Sequence, residues 1–393
     1  MAANVAFVIH GIGRHGPDWA AEALAELETA AGYSSAFRDA PLAQQLRFVP
    51  VVYDDLFDGV LARWQQLSQD LEQSGAVLPA PVETLNELIG NASQADNAAS
   101  GYLGDIVLYT GFRLVRNAVL LRVISTMLRE IAATYAAFDP ATERKPQFAV
   151  IAHSLGTTVA HDALHLMARL PWGAAQQDQN AAIAQMQADL QVLGQAGADL
   201  SASADGIRSI LAAHPASPAR FRFDSVFMLA NTSRLLYTVD REPYASAVHP
   251  ASIRNGVPGY CDAFFDVDNK YDYVGLGLRL VGRMFSTDNE IWSAGGGEAA
   301  GSAYDLDLEH LHQANAHALS HYLKHPLVYS TLFRRMAPSY RYAHHKEAMA
   351  RFSPDDAHPF RNLPLGDLEA QVDPLWDKLV MMLARKLKRG EIR

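Results

Sequence analysis

A five-residue segment in the middle of the chain has the form of a nucleophile elbow, the sharp strand-to-helix turn that exposes a serine hydroxyl. It reads AHSLG over residues 152–156, with Ser154 at its centre. The turn requires small residues two positions before and after the serine, because larger side chains would collide there, and Ala152 and Gly156 satisfy this. It would also direct the backbone N–H of Leu155 at a developing oxyanion. We therefore expect Ser154 to be a nucleophile.

A serine nucleophile needs an imidazole within hydrogen-bonding distance to accept its proton, and histidines are concentrated late in the chain. The loop after the last predicted strand contains His312 and His317, and His321 and His325 follow in a predicted helix. His317 stands where this loop meets the helix, beyond the end of a strand. We predict His317 as the base, with His321 and then His312 as alternatives.

A glycine-rich segment after the first predicted strand is a candidate second half of an oxyanion hole. It reads His10-Gly11-Ile12-Gly13, and its glycines would let the backbone approach a ligand closely. We assign the second N–H donor to Ile12. His10 and His153 flank the site and are expected to be structural, donating hydrogen bonds to backbone.

The same segment also matches a dinucleotide-binding fingerprint, because residues 11–16 read GIGRHG after a strand. Two observations disfavour this alternative. Pro17 and Trp19 would crowd the first turn of the helix that packs on the sheet. No acidic residue ends a second strand about 20 residues further on, and Asp54 comes too late.

Strand and helix patterns alternate along the whole chain, which predicts an α/β fold with one doubly wound, mostly parallel sheet. Strands are predicted at residues 5–9, 46–53, 147–151, 225–230, 263–267 and 304–311. Helices are predicted at residues 17–31 and 155–170 and from residue 315 onward. Pro50 suggests that the second strand lies at an edge or carries a bulge. Helical insertions are expected at about 56–139 and 172–220, the second as a solvated hairpin.

These motifs together resemble the α/β-hydrolase superfamily, on the lipase and esterase side, over most of the chain. The resemblance implies a triad in the order Ser, Asp, His, with the acid in a turn after a late strand, where Asp272 stands. A tyrosine follows Asp272 where the family usually has proline, and Asp266 and Asp268 are alternatives. The resemblance further implies a single α/β-hydrolase domain over residues 1–393, whose insertions cap the site.

Composition and charge exclude several other classes of protein. Of the 393 residues 43 are acidic and 33 are basic, which gives a net charge of −10, and no basic stripe that could bind nucleic acid is present. Cys261 is the only cysteine, so no internal disulfide can form. The N-terminus lacks the pattern of a secretory signal, and a cytoplasmic location is expected. Arginines interrupt the most apolar stretch, residues 102–138, which disfavours a membrane span.

The expected activity is therefore hydrolysis of a carboxylic ester, with a small or lipid-like substrate and without a cofactor. A thioesterase or an amidase would use the same residues. A non-catalytic binding or scaffold protein with this fold is the alternative outside enzymes.

A helix over this region would place His317, His321 and His325 on one face, which could suggest a metal site. No cysteine or carboxylate pattern supports such a site. Residues 373–393 are expected to form a basic helix docked on the body, with weak membrane-surface contact as the alternative. The sequence leaves the oligomeric state open.

Overall fold

The computed structural model describes residues 4–11, 18–57, 59, 66, 109–110, 113–169, 184, 204–209, 221–233, 247–248, 259–272, 302–311 and 315–352. Within these residues six strands form one sheet. The strands are β1 (Asn4–Ile9), β2 (Leu46–Val51), β3 (Phe148–His153), β4 (Phe223–Leu229), β5 (Cys261–Asn269) and β6 (Ser302–Leu308). The helices whose bounds the structure describes are α1 (Ala21–Gly32), α2 (Leu42–Gln45), α3 (Arg113–Ala137), α4 (Leu155–Arg169), α5 (Leu319–Lys324), α6 (Pro326–Met336) and α7 (Tyr342–Arg351).

All neighbouring strands of this sheet run parallel, in the order β2-β1-β3-β4-β5-β6. The chain goes from β1 outward to β2 on one side and then returns to place β3 on the other side of β1. The order of the strands therefore reverses between β1 and β3. In open α/β sheets, ligands bind in the crevice at the carboxyl ends of the strands beside such a reversal. The chain leaves β1 at His10 and Gly11, and it leaves β3 at Ser154.

The sheet is buried on both of its faces. Along β1, Val5, Phe7 and Ile9 belong to one hydrophobic cluster, whereas Ala6 and Val8 belong to another, as expected for side chains that alternate across a strand. Helices α3 and α4 contribute to the first cluster, and α1, α5 and α6 contribute to the second. This burial on both faces explains why the central strands β1 and β3 read as continuous apolar runs rather than alternating ones.

The expectation for Pro50 is confirmed, because β2 forms an edge of the sheet in the described part of the chain. Among the described strands β2 pairs only with β1, and Pro50 aligns there with Val8. Proline cannot donate a backbone hydrogen bond, and at an edge the unpaired side of the strand tolerates this loss. The other strands lie within a few residues of their predicted positions.

The terminal helix differs from the prediction. It does not begin near Asn315: α5 begins at Leu319, ends at Lys324 and is separated from α6 by His325. The Nδ1 atom of His325 accepts a hydrogen bond from the backbone N–H of Leu327, so His325 caps α6. His317 lies in the turn before α5. The expectation that His317, His321 and His325 share one helix face is therefore wrong.

Only parts of the two predicted insertions belong to the described residues. In the first, α3 is a 25-residue helix packed on the sheet. In the second, residue 184 and residues 204–209 are helical, and Ala204 and Ile207 are fully buried in the first hydrophobic cluster. These two residues pack against the body, in contrast to the solvated hairpin expected there. The predicted helix at 373–393 lies outside the described residues. Among those residues no helix is long and apolar enough to cross a membrane.

Candidate active site

Ser154 lies in a sharp turn between β3 and α4, at the carboxyl end of the sheet. Its φ angle is 56°, in the left-handed region that residues with a side chain rarely adopt. Such a conformation costs about 1–2 kcal/mol and persists only where the surrounding structure imposes it. The Ser154 N–H donates to the carbonyl oxygen of Leu229 at 2.9 Å, so the turn is tied to the end of β4.

Two threonines hold the backbone of Ser154 from the other side. Its carbonyl oxygen accepts hydrogen bonds from the hydroxyl of Thr157 at 2.6 Å and from the hydroxyl of Thr232 at 2.9 Å. The N–H of Thr157 donates to the same oxygen at 2.9 Å. Thr232 follows β4, whereas Thr157 lies in the first turn of α4. Both side chains are buried, and together they fix the orientation of the peptide that carries the serine.

Two glycines allow the loop after β1 to approach this turn. A Cβ atom on Gly156 would lie 2.0 Å from the carbonyl oxygen of His10, which no side chain could accommodate. A Cβ atom on Gly11 would lie 2.7 Å from the Cβ atom of Ser154 and 3.2 Å from its Oγ atom. The turn and the loop are therefore in direct contact, and both glycines are required by close approach.

The side chains of Ser154, His317 and Asp272 form a continuous chain of hydrogen bonds. The Nε2 atom of His317 lies 2.9 Å from Ser154 Oγ. Its Nδ1 atom lies 2.8 Å from one carboxylate oxygen of Asp272 and 3.0 Å from the other. All three residues are at most 2% exposed, so their interactions occur out of bulk water. Asp272 lies in the turn after β5, and His317 lies between β6 and α5.

The charge state of Asp272 decides which nitrogen of His317 carries the proton. Burial alone would raise the pKa of Asp272, but the charge and hydrogen bond of His317, followed by the hydrogen bond of Tyr322, lower it below its ordinary value. Asp272 is therefore an ionised carboxylate at neutral pH and can only accept hydrogen bonds. Hence Nδ1 of His317 donates to Asp272, and in the neutral form of the imidazole Nε2 accepts the hydroxyl proton of Ser154.

No family model, curated protein or solved structure matches this chain. A hydroxyl whose proton is already bonded to an imidazole, itself oriented by a buried carboxylate, can attack an electrophilic carbon while the proton passes to Nε2. As the first residue of α4, Leu155 has a backbone N–H without an acceptor within the helix. This N–H is a candidate donor to an oxyanion.

Two histidines, His10 and His153, flank the site. The Nδ1 atom of His10 donates to the carbonyl oxygen of Gly11 at 2.8 Å, and its ring stacks on Tyr53 with centroids 4.0 Å apart. The ring of His153 lies 4.7 Å from the ring of His317. His10 thus supports the loop after β1, and His153 covers one side of the candidate base.

The alternative candidates for the base and the acid that the structure describes are His321, Asp266 and Asp268. His321 is fully buried and donates through Nε2 to the carbonyl oxygen of His310 at 2.9 Å, so it is not the residue that contacts Ser154. Asp266 and Asp268 lie within β5, whereas the carboxylate that contacts His317 belongs to Asp272. Ile12, Gly13 and His312 lie outside the described residues. Within the described part of the chain no group of three histidine, cysteine or acidic side chains could hold a metal ion.

Sequence reasoning missed three residues of this site. Thr157 and Thr232 contact the serine backbone, and the hydroxyl of Tyr322 donates to the Oδ2 atom of Asp272 at 2.5 Å. Thr157 could have been suspected, because a hydroxyl three residues after a strained turn is well placed to cap its carbonyl. Nothing in the sequence distinguishes Thr232 or Tyr322 from ordinary loop and helix residues.

Proposed function

We propose that this chain is a serine hydrolase of the α/β-hydrolase type that cleaves carboxylic esters through an acyl-enzyme. The observation that carries the proposal is the position of His317, whose two ring nitrogens contact Ser154 Oγ and the Asp272 carboxylate at 2.9 and 2.8 Å. Support also comes from the location of Ser154 at the carboxyl end of β3, beside the reversal in strand order, where α/β sheets bind their ligands.

In the proposed mechanism, Ser154 Oγ attacks the ester carbonyl while its proton moves to His317 Nε2. Asp272 stabilises the imidazolium that forms and keeps the ring in the productive orientation. The N–H groups of Leu155 and, from the loop after β1, Ile12 stabilise the negative charge on the carbonyl oxygen. His317 then protonates the leaving alcohol. Water, activated by the same imidazole, releases the acid and regenerates Ser154.

The proposal is tested with the purified protein on p-nitrophenyl esters and on thioesters of graded chain length. We expect Ser154→Ala to lower kcat/KM by a factor on the order of 10³ or more while the protein stays folded, since the nucleophile is lost and only a hydroxyl is removed. Ser330→Ala is the matched control, because Ser330 is also a buried serine but bonds to the Pro326 carbonyl within α6.

A fluorophosphonate probe tests the nucleophile directly. We expect mass spectrometry to find the adduct on Ser154, and His317→Ala to abolish its formation. A folded wild-type protein that hydrolyses none of the substrates and does not react with the probe would contradict the proposal and favour a binding or scaffold role. If the protein hydrolyses these substrates, the preferred acyl length and the preferred leaving group, an alcohol or a thiol, distinguish an esterase from a thioesterase.

A further inference from the structure

Tyr322 contacts Asp272, the acid of the proposed triad. It lies on α5, is fully buried, and donates its hydroxyl proton to Asp272 Oδ2 at 2.5 Å. The same oxygen accepts the Nδ1–H of His317 at 2.8 Å. One carboxylate oxygen therefore receives two hydrogen bonds, one from the base and one from a residue that does not contact Ser154 in the described structure.

The phenol of Tyr322 is restricted to the role of donor. Burial, followed by the charge of Asp272, raises its pKa well above the ordinary value, so the hydroxyl keeps its proton over the whole neutral range. Asp272 is itself fully buried, and a buried carboxylate needs donors in place of water. A charge-assisted hydrogen bond of this kind is short and orients its acceptor strongly.

We propose that Tyr322 is a positioning residue: its hydroxyl fixes the Asp272 carboxylate and, by withdrawing charge from Oδ2, limits the basicity of His317. The inference rests on the proposed function, because it concerns the same acid and base. A less basic His317 is unprotonated at lower pH, and only the unprotonated imidazole can accept the serine proton. Tyr322 thus extends the pH range of activity toward acid.

Two other titratable groups act on this pair of residues. The ring of His153, at the end of β3, lies 4.7 Å from the ring of His317 and 5.8 Å from that of Tyr322, and its charge contributes to the low pKa of Asp272. Asp268, on β5, contributes to the raised pKa of Tyr322. Replacing only the Tyr322 hydroxyl leaves both groups in place, so a change in the titration of His317 reports on that hydroxyl.

The test compares Tyr322→Phe with Tyr340→Phe. Tyr340 is a matched control because it is buried in the same hydrophobic cluster and its hydroxyl donates to the backbone carbonyl of His344 at 3.1 Å, outside the site. The titration of the His317 imidazole is followed by NMR, with its signal assigned by its loss in His317→Asn. We expect Tyr322→Phe to raise the His317 pKa by about half a pH unit or more, and Tyr340→Phe to leave it unchanged.

The kinetic readout is the pH profile of kcat/KM for a p-nitrophenyl ester. In Tyr322→Phe the acid limb of this profile should move to higher pH by the same amount. The value of kcat should fall about three- to tenfold with KM unchanged, because the carboxylate and the imidazole lose their fixed orientation while the substrate contacts remain. An unchanged acid limb in a folded, active Tyr322→Phe variant would overturn the inference and leave the proposed function intact.

The NMR titration separates failure of the inference from failure of the proposed function. A shifted His317 pKa in a protein that hydrolyses no ester would support the role of Tyr322 and count against the function. If Tyr322→Phe does not fold, 3-fluorotyrosine is incorporated at position 322, which keeps the shape and strengthens the donor. The His317 pKa should then fall, and a rise or no change would overturn the inference.

Discussion

Gly11 and Ser154 are in direct contact, although 143 positions separate them in the sequence. A Cβ atom on Gly11 would lie 2.7 Å from Ser154 Cβ and 3.1 Å from the carbonyl oxygen of His153. Only a residue without a side chain lets the loop after β1 and the turn after β3 end so close together. Under the proposed function, this contact brings the loop within reach of a carbonyl group attacked by Ser154.

We predict that Gly11→Ala greatly reduces activity. The added methyl group must displace either Ser154 or the loop, and a displacement of about 1 Å at a reacting atom can lower turnover on the order of a hundredfold. The free energy of unfolding should fall by about 1–3 kcal/mol, as for other overpacked sites. Ester hydrolysis and chemical denaturation measure the two effects.

Gly32→Ala is the control for that substitution. Gly32 is the last residue of α1, and a Cβ atom placed there would meet no atom within 4 Å. We expect both activity and stability to stay at the wild-type level. Wild-type kcat/KM in Gly11→Ala would show that the loop does not approach Ser154 as closely as the structure places it.

Thr232 is predicted to keep Ser154 in its left-handed conformation. Thr232→Val removes the hydroxyl that donates to the Ser154 carbonyl at 2.9 Å but keeps a β-branched side chain. We expect kcat to fall on the order of tenfold because the nucleophile is less well oriented. The loss of a buried hydrogen bond should also lower the free energy of unfolding by about 1–3 kcal/mol.

Thr232→Ser is the conservative partner of that variant, since it retains the hydroxyl and removes only a methyl group. It should recover most of the turnover, and the rate of fluorophosphonate labelling of Ser154 should follow kcat across the three proteins. Equal labelling rates for the valine and serine variants would mean that the hydroxyl does not position the nucleophile.

His325 is predicted to make the stability of the protein depend on pH. Burial, followed by the charge of His321, lowers its pKa from 6.5 to about 4. Between these two values the unfolded chain binds a proton at this position and the folded protein does not. Stability therefore decreases as the pH falls from about 6.5 to 4, by as much as about 3 kcal/mol from this residue.

Urea denaturation at pH 7, 5.5 and 4.5 measures this dependence, with His325→Asn as the matched variant. Asparagine does not titrate and can still cap α6, as His325 does. We expect the variant to be less sensitive to pH across this window. Asp272, whose pKa is lowered from 3.8, loses its contribution only at more acidic pH, so it does not obscure the comparison. An equal slope in both proteins would contradict the assignment to His325.

The strands were predictable from the sequence because they are apolar runs that stop at turn-forming residues. Val5 to Ile9 and Phe148 to Ile151 are such runs, and the structure places strands over both. The position of Ser154 between a strand and a helix followed from the same local patterns. One helix from Asn315 onward was predicted, whereas α5 begins at Leu319 and His325 separates it from α6. The histidine-rich stretch carries no clear helix boundary signal before Pro326, so the cap formed by His325 was not recognised.

Residue types and their order along the chain indicated Ser154, Asp272 and His317 as site residues. The strained turn around Ser154 and its small neighbours are local properties of the sequence. Only the tertiary structure decided that Asp272 contacts His317, that Tyr322 donates to Asp272, and that Thr232 donates to the Ser154 carbonyl. These contacts join residues from different strands and helices. They depend on how a parallel sheet brings distant carboxyl ends to one edge, which no single segment of the sequence specifies.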